Sequence, residues 1–177
     1  MSANRDSTVW IVEPLGKTHD RADFSCGNES LDRYLRNQAT QDARRRVAAP
    51  FVLVQPANPK TIIGYYTLSA FGITLHDLPP DITKKLPSYP VVPVTLLGRL
   101  AIDRRYTGQG AGEFLLVDAL QRAYRQSSQI AAAAVVVDAI DEQAAHFYRH
   151  FEFTPFPDKP GRLFIPMKTI VELFDKP

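Results

Sequence analysis

The feature that most constrains this chain is a predicted strand, glycine loop and helix over residues 97–120. An apolar run ends in a charged turn, and glycines then alternate at Gly108, Gly110 and Gly112. The apolar residues that follow share one helical face: Leu116, Ala119, Leu120 and Ala123. A helix that opens from glycines presents unpaired backbone N–H groups and the positive end of its dipole. The pattern therefore predicts a binding site for a phosphate group.

The loop differs from two common phosphate-binding loops. It lacks the Lys-Ser/Thr ending of a P-loop, which disfavours a nucleoside triphosphate held with magnesium. Its glycines have G-x-G-x-G spacing, and no acidic residue about 20 positions further on is placed to hold a ribose, as a dinucleotide fold needs. From the residues alone, an ordinary glycine-rich turn remains an equal alternative.

The loop and its surroundings resemble the Gcn5-related N-acetyltransferase (GNAT) family. The signature loop of that family, Arg/Gln-x-x-Gly-x-Gly/Ala, binds the pyrophosphate of acetyl-coenzyme A. The matching positions are Thr107, Gly108, Gln109, Gly110, Ala111 and Gly112. Because Thr107 replaces the usual Arg or Gln, backbone amides would hold the phosphates, with Arg104 or Arg105 as candidate helpers.

The resemblance also implies roles for the strand before the loop. In the family, backbone groups of this strand pair with the pantetheine amides, much as an added strand would. By position these groups belong to Leu100, Ala101 and Ile102. A backbone N–H would likewise stabilise the oxyanion. The implied co-substrate is acetyl-coenzyme A, and no metal is implied.

A second match lies in 141–153, which is similar to the family's helix and strand around FY-x-x-x-G-F, with Glu152 where glycine is common. Tyr148 matches the family tyrosine that protonates the departing thiolate. A phenol with a reference pKa of about 10 stays protonated at neutral pH and can donate that proton. The alternative is a core aromatic, because Phe147 and Phe151 extend an apolar face beside it. Glu142 or Asp138 are candidate bases through water, although each is equally placed to be a cap or a loop carboxylate.

A narrower resemblance is to the acetyltransferase toxins of type II toxin–antitoxin modules. The matching segments are 24–35, 64–69, 97–101 and 137–139. This resemblance implies acetylation of the α-amino group of aminoacyl-tRNA, which blocks translation. It also implies neutralisation by a ribbon-helix-helix antitoxin, and the family suggests a homodimer.

Arginines are concentrated although the formal net charge is only +2. The candidate tRNA-binding residues are Arg44, Arg45, Arg46 and Arg99. Basic side chains beside a site suit a polyanion, which they attract through its phosphates. The alternative for the three consecutive arginines is a solvated helix end, where cations complement the dipole.

Length and composition are typical of one small globular enzyme. The chain has 177 residues, of which 45% are hydrophobic and 23% charged, so we expect a single N-acetyltransferase domain over 1–177. The lone cysteine, Cys26, cannot form an internal disulfide and is expected to be a packing residue in a reducing compartment. No run approaches the length of a membrane span, and the N-terminus lacks an apolar signal region. These features favour a cytoplasmic protein without a membrane partner.

The predicted elements suit an α+β GNAT fold, with a mixed central sheet and helices on both faces. Strands are predicted over 9–12, 51–54, 61–71, 94–102, 131–137, 153–156 and 162–167. Helices are predicted from a cap at Asn28 or Ser30 to about Ala39, and over 113–126 and 141–150. Residues 78–93 are expected to form a loop with at most one helical turn.

Two other classes of function remain open from the sequence. One is an acetyltransferase for a small amine or a protein lysine, which would share the coenzyme loop but gain nothing from the arginines. The other is a non-catalytic protein that binds the coenzyme as a structural ligand. Tyr148 beside an intact glycine loop argues against the second class.

Overall fold

The computed structural model describes residues 9–175, so the N-terminal stretch that is expected to lack a signal region lies outside the described part. The described chain divides into two compact units. The first contains residues 9–67 and 99–116, and the second contains 68–98 and 117–175. The prediction of one domain over 1–177 stays a prediction.

The described strands form one mixed sheet of seven strands in the order β1-β2-β3-β4-β5-β7-β6. Their bounds are Ile11–Pro14 (β1), Ala49–Val54 (β2), Gly64–Thr74 (β3), Val91–Ile102 (β4), Ala134–Asp138 (β5), Thr154–Phe156 (β6) and Lys159–Pro166 (β7). The helices are Glu29–Asn37 (α1), Ala39–Arg45 (α2), Pro80–Thr83 (α3), Ala111–Gln126 (α4), Glu142–His150 (α5) and Met167–Phe174 (α6). The pair β4–β5 is parallel, whereas β1–β2, β5–β7 and β6–β7 are antiparallel. The predicted α+β fold with a mixed sheet is confirmed.

In the first unit, the predicted first helix is broken in two. The cap is confirmed, since the Asn28 side chain accepts a hydrogen bond from the Leu31 N–H at 3.2 Å. Gln38, at φ −126° and ψ −32°, leaves the helical region between α1 and α2. Leu35 and Ala39 are both fully buried, on either side of this break. The sequence does not reveal the break because glutamine is a good helix former and no Gly or Pro marks it.

Hydrogen bonds within the first unit give structural roles to residues of segment 24–35, one of the segments that resemble the acetyltransferase toxins. Gly27 has φ 90°, a conformation that favours glycine. The buried Asp32 accepts a hydrogen bond from the Cys26 N–H at 2.9 Å, which closes the turn before α1. The Tyr65 hydroxyl donates to the Leu31 carbonyl at 2.7 Å and ties α1 to β3.

In the second unit, β5 lies at the centre of the buried strands. Val135, Val136 and Val137 are almost fully buried, as expected for a strand that is covered on both faces. The strand begins at Ala134, three residues later than predicted, while β4 begins at Val91, three residues earlier. Prolines lie on both sides of the first residue of β4, so the sequence there is typical of a loop and not of a strand. The expected single helical turn in the preceding loop is present as α3.

The remaining differences are shifts of strand and helix ends and the C-terminal helix α6, which is absent from the predicted elements. The first strand, β1, lies two residues later than predicted, and β3 covers 64–74 in place of 61–71. The predicted buried face of α4 is confirmed, since its four apolar residues are at most 3% exposed: Leu116, Ala119, Leu120 and Ala123.

We expect Gly64→Ala to destabilise the fold by about 1–3 kcal/mol, because the position has no room for a side chain. An added Cβ would lie 2.6 Å from Ile102 Cδ1, 2.7 Å from Leu115 Cδ1 and 2.8 Å from the Ala101 carbonyl oxygen. The matched control is Gly161→Ala, whose Cβ would approach no atom closer than the Ala139 oxygen at 4.0 Å. Urea unfolding of both variants tests the prediction, and equal midpoints would contradict it.

Candidate active site

The glycine loop joins β4 to α4 and leaves the first helical turn open. The Phe114 N–H donates to the Gly110 carbonyl at 3.0 Å, so Gly110 caps the helix. The N–H groups from Gly110 to Glu113 therefore have no partner inside the helix. A glycine cap also carries no side-chain oxygen that could accept from them. By contrast, the side chains of Asn28 and Asp141 satisfy the first turns of α1 and α5.

Two of the loop glycines are required by backbone conformation. Gly108 has φ 79° and Gly110 has φ 82°, and an added Cβ at either would meet no atom within 4 Å. A larger side chain is disfavoured here by the left-handed backbone and not by its neighbours. The space beside both glycines is open, so a ligand can approach the main chain. Thr107 precedes this stretch in extended conformation.

Asp103 fixes the junction between β4 and the loop. Its carboxylate is 1% exposed and accepts hydrogen bonds from the Ser25 N–H at 3.1 Å and the Arg105 N–H at 2.9 Å. The Arg105 side chain adds two bonds of 3.0 Å, one to each oxygen. Burial opposes ionisation, but these hydrogen bonds outweigh it and lower the pKa of Asp103 below its ordinary value. No sequence motif marks this residue.

The two arginines proposed as helpers of the loop have partners elsewhere. Besides Asp103, Arg105 contacts Asp23 at 2.9 Å, so its charge is neutralised by two carboxylates. The Arg104 guanidinium donates to the Ser25 hydroxyl at 2.9 Å. Arg105 is therefore committed to two carboxylates and one Arg104 N–H to Ser25, while their roles as helpers of the loop stay a prediction.

The three residues predicted to bind pantetheine lie in β4, beyond the part of the strand that pairs with β5. The ladder with β5 covers Thr95–Leu97 against Val135–Val137, and Leu100, Ala101 and Ile102 lie past it. The Asp103 N–H, next in sequence, donates to the Ile63 carbonyl at 2.8 Å. Their roles stay a prediction.

Tyr148 lies on α5 with its ring in an aromatic cluster. The residue is 7% exposed, and its ring centroid is 5.3 Å from those of Phe147 and Phe153. Within residues 9–175 no protein group hydrogen-bonds its hydroxyl. Burial raises the pKa of Tyr148 above its ordinary value, so the phenol stays protonated and able to donate. Tyr148 can therefore serve both as a core aromatic, through its packed ring, and as a proton donor, through a hydroxyl that has no hydrogen-bond partner within residues 9–175.

The turn after α5 accounts for the unusual Glu152. This residue has φ 70°, in the region that favours glycine. The N–H groups of Phe151 and Phe153 both donate to the Tyr148 carbonyl, at 3.0 and 3.2 Å. The turn therefore keeps the geometry of a glycine-ended helix although it contains a glutamate.

Both candidate bases are engaged in ion pairs. Glu142 pairs with Arg149 within α5. Asp138 binds Arg162 through both oxygens, at 2.8 and 3.1 Å. Cys26 is also unsuited to nucleophilic chemistry, because burial and then Asp32 raise its thiol pKa to about 11.

The four predicted tRNA-binding arginines fall in two places. Arg44, Arg45 and Arg46 end α2 and are exposed, with Arg46 at φ 58°. Arg99 lies in β4, where its guanidinium carbon is 3.5 Å from the centroid of the Tyr34 ring. It lines a polar cavity that the three consecutive arginines do not line.

Neither a metal centre nor a membrane-spanning helix is found in the described part of the chain. No group of three or more His, Cys, Asp or Glu side chains in residues 9–175 is arranged to hold a metal ion. None of the helices in the same residues has both the length and the apolar character of a membrane span.

Comparison with known proteins gives matches over most of the chain. A model of the Acetyltransferase (GNAT) family matches residues 17–153. The probable toxin TacT of Sinorhizobium fredii (strain NBRC 101917 / NGR234) is 31% identical over 97% of this chain and 98% of its own. The tRNA-acetylating toxin of Mycobacterium tuberculosis (strain ATCC 25618 / H37Rv) is 35% identical over 87% of this chain and 90% of its own.

Solved structures of a toxin named AtaT are similar throughout. AtaT complexed with acetyl-methionyl-tRNAfMet has a TM-score of 0.87 and 30% identity, covering 94% of this chain and 99% of that one. A mutant AtaT toxin bound to the C-terminus of the antitoxin AtaR and acetyl-CoA has a TM-score of 0.79 and 27% identity, with the same coverage.

The Asp103 carboxylate should make the free energy of unfolding depend on pH in the acid range. Because its pKa is lowered by folding, it stabilises the fold above about pH 4, and this contribution is lost as the pH falls through the lower folded value. We expect Asp103→Asn to lose about 1–3 kcal/mol of unfolding free energy at pH 7 and to show a flatter pH dependence below about pH 4. The exposed Asp158→Asn is the control, expected within about 0.5 kcal/mol of wild type. Urea unfolding at several pH values decides, and parallel curves for wild type and Asp103→Asn would contradict the prediction.

Proposed function

Because the chain belongs to the acetyltransferase (GNAT) family, we propose that it transfers acetyl from acetyl-coenzyme A to the α-amino group of aminoacyl-tRNA and thereby blocks translation. The observation that carries the proposal is similarity over nearly the whole chain. The relative from M. tuberculosis is named a tRNA-acetylating toxin, and AtaT was solved with an acetylated aminoacyl-tRNA. The coenzyme is supported by the same toxin, which binds acetyl-CoA.

In this proposal the glycine loop binds the coenzyme phosphates through its backbone. The residues involved are Thr107, Gly108, Gln109, Gly110, Ala111 and Gly112. Open N–H groups at a helix start and the dipole behind them favour a pyrophosphate. Leu100, Ala101 and Ile102, past the ladder with β5, offer backbone groups to the pantetheine amides.

The reaction is a direct transfer with Tyr148 as the acid. The amine nitrogen attacks the thioester carbonyl carbon, the C–S bond breaks, and the thiolate takes the phenolic proton. The amine loses a proton to water, and water then returns a proton to the Tyr148 phenolate. The raised pKa of Tyr148 opposes this donation, since a stronger acid gives up its proton more easily. A thiolate released into apolar surroundings is destabilised by the same burial, which raises the pKa of the departing thiol. The thiol pKa therefore rises together with the pKa of the Tyr148 phenol, and proton transfer between the two groups remains feasible.

The arginines supply attraction for the tRNA. Arg44, Arg45 and Arg46 are exposed at the end of α2, and contacts from such side chains to phosphates carry affinity without sequence readout. Arg99 is the fourth member of this proposed set. An acceptor that is a small amine or a protein lysine, the alternative function, would make no use of these four charges.

The proposal extends to partners and compartment. An antitoxin is expected because AtaT was solved with the C-terminus of the antitoxin AtaR. Its ribbon-helix-helix type, a homodimeric state and a cytoplasmic location follow from the resemblance to type II toxins. A small ribbon-helix-helix reading frame beside the gene would support the first of these.

The acceptor decides between the two functions. We expect the purified protein to transfer labelled acetyl to aminoacyl-tRNA and not to deacylated tRNA, whose terminal ribose has no amine. The rate at subsaturating tRNA should fall steeply with salt. Replacing Arg44 and Arg45 with Ala and Arg46 with Gly, which suits its positive φ, should raise KM for tRNA and leave acetyl-CoA affinity unchanged. Label on free polyamines or protein lysines, with charged tRNA untouched, would instead establish the alternative.

The role of Tyr148 is tested by Tyr148→Phe, which keeps the packed ring and removes the hydroxyl. We expect turnover to fall by about 10²–10⁴-fold, the usual loss for a general acid, with the melting temperature and acetyl-CoA affinity preserved. The control Tyr89→Phe removes a hydroxyl from a side chain that is 66% exposed and should change none of these. Wild-type turnover in Tyr148→Phe would return this residue to a purely structural role.

A further inference from the structure

A polar cavity of about 310 Å³ opens beside α1 and α2 in the first unit. Its volume lies at the lower end of the range of roughly 300–1,000 Å³ that ligand pockets occupy. The lining side chains are two arginines, one tyrosine and four neutral polar groups: Ser30, Arg33, Tyr34, Asn37, Gln38, Gln41 and Arg99. No acidic residue lines it, so the cavity favours an anion.

Arg99 is the most informative of these residues. Its side chain is half-buried, yet no carboxylate in residues 9–175 pairs with it and no protein acceptor there binds its N–H groups. Partial burial of an unpaired charge costs free energy, and Arg105 avoids that cost by pairing with two carboxylates. An unsatisfied guanidinium fork on a cavity wall suits the planar, bidentate binding of a phosphate.

Tyr34 fixes the orientation of this guanidinium. The ring lies under Arg99 at 3.5 Å, a cation–π contact that holds the guanidinium against a rigid surface. The ring itself is anchored, since its hydroxyl donates to Asp42 Oδ2 at 2.8 Å and the ring stacks with Tyr65 at an interplanar angle of 17°. Arg99 is therefore held in place before any ligand arrives, which lowers the entropic cost of binding.

Amide side chains supply neutral hydrogen-bonding groups to the same cavity. Asn37, Gln38 and Gln41 surround the break between α1 and α2, where the chain leaves helical geometry at Gln38. A carboxamide offers both a donor and an acceptor, which is the pair that reads the edge of a nucleobase. Gln41 is exposed, and its side chain makes no hydrogen bond within residues 9–175.

We propose that this cavity, which we call the α1–α2 pocket, binds one unpaired nucleotide near the aminoacylated 3′ end of the tRNA, with Arg99 on its phosphate and Gln41 on its base edge. The inference rests on the proposed function, because the unpaired end of the tRNA carries the acceptor amine. Arg99 directly precedes Leu100, so the pocket and the proposed coenzyme strand share β4. Unpaired bases are the part of an RNA that side chains can read.

The test uses aminoacyl-tRNA in which each unpaired 3′ nucleotide in turn is made abasic. For the wild-type protein we expect one abasic position to lower kcat/KM by roughly tenfold or more. When Gln41→Ala is compared on the intact and the abasic substrate, the two kcat/KM values should differ by no more than about twofold, because the base has already lost its partner. Arg99→Gln should raise KM for tRNA by roughly tenfold, with kcat and acetyl-CoA affinity preserved, and should reduce the slope of log affinity against log salt by about one.

The matched control is Arg36→Gln, which removes the same charge from α1. Its side chain pairs with Glu29 at 3.0 Å and does not line the α1–α2 pocket, so we expect KM within about twofold of wild type. An equal loss in Arg36→Gln and Arg99→Gln, or the same abasic penalty in wild type and Gln41→Ala, would overturn the pocket while leaving acetylation of tRNA intact. Absence of acetyl transfer to any aminoacyl-tRNA by the wild-type protein would instead overturn the proposed function and the pocket with it.

Discussion

The buried Asp103 carboxylate is the interaction on which the proposed coenzyme site depends. It binds the backbone of Ser25 and Arg105 and the guanidinium of Arg105, so three separate groups converge where β4 ends. The glycine loop begins four residues later and has no cationic side chain of its own to hold a phosphate. Because Thr107 replaces the usual Arg or Gln and Arg105 is already paired, affinity for the coenzyme would in this proposal rest on the conformation of the backbone. In the proposed function, the anchor just before the loop therefore serves coenzyme binding as well as folding.

A second anchor, Tyr34, organises the other proposed ligand surface. Its ring holds Arg99 and its hydroxyl holds Asp42, so one side chain joins β4, α1 and α2. Burial, and then the hydrogen bond to Asp42, raises the pKa of Tyr34 to about 12, so the ring stays neutral and its hydroxyl remains a donor. This arrangement separates Arg99 from Arg44, Arg45 and Arg46. The exposed three are suited to attraction at a distance, whereas the fixed one is suited to a defined phosphate.

The sequence predicted the parts of the fold that local chemistry decides. The Asn28 cap, the buried face of α4 and the glycine loop all follow from residue types at fixed spacing. Prediction failed where tertiary contacts overrode local preference. The break at Gln38 occurs at a residue that carries no turn signal. The roles of Asp103 and Tyr34 were invisible for the same reason, since each depends on partners from distant parts of the chain. By contrast, the end of α5 was predicted correctly, and Glu152 takes the left-handed conformation at a position where the family commonly has glycine.

The state of the two candidate bases bears on which amine this chain acetylates. Glu142 and Asp138 form ion pairs with Arg149 and Arg162, so each carboxylate is already engaged by an arginine and would have to leave it to contact a substrate amine. A lysine side chain, with a reference pKa of about 10.4, is almost entirely charged at neutral pH and needs such a base. An α-amine titrates near 8, which leaves roughly 250-fold more of it neutral at the same pH. The engaged carboxylates therefore favour an acceptor with a substantial neutral fraction at neutral pH, and the amino group of an aminoacyl-tRNA has a far larger neutral fraction than a lysine side chain.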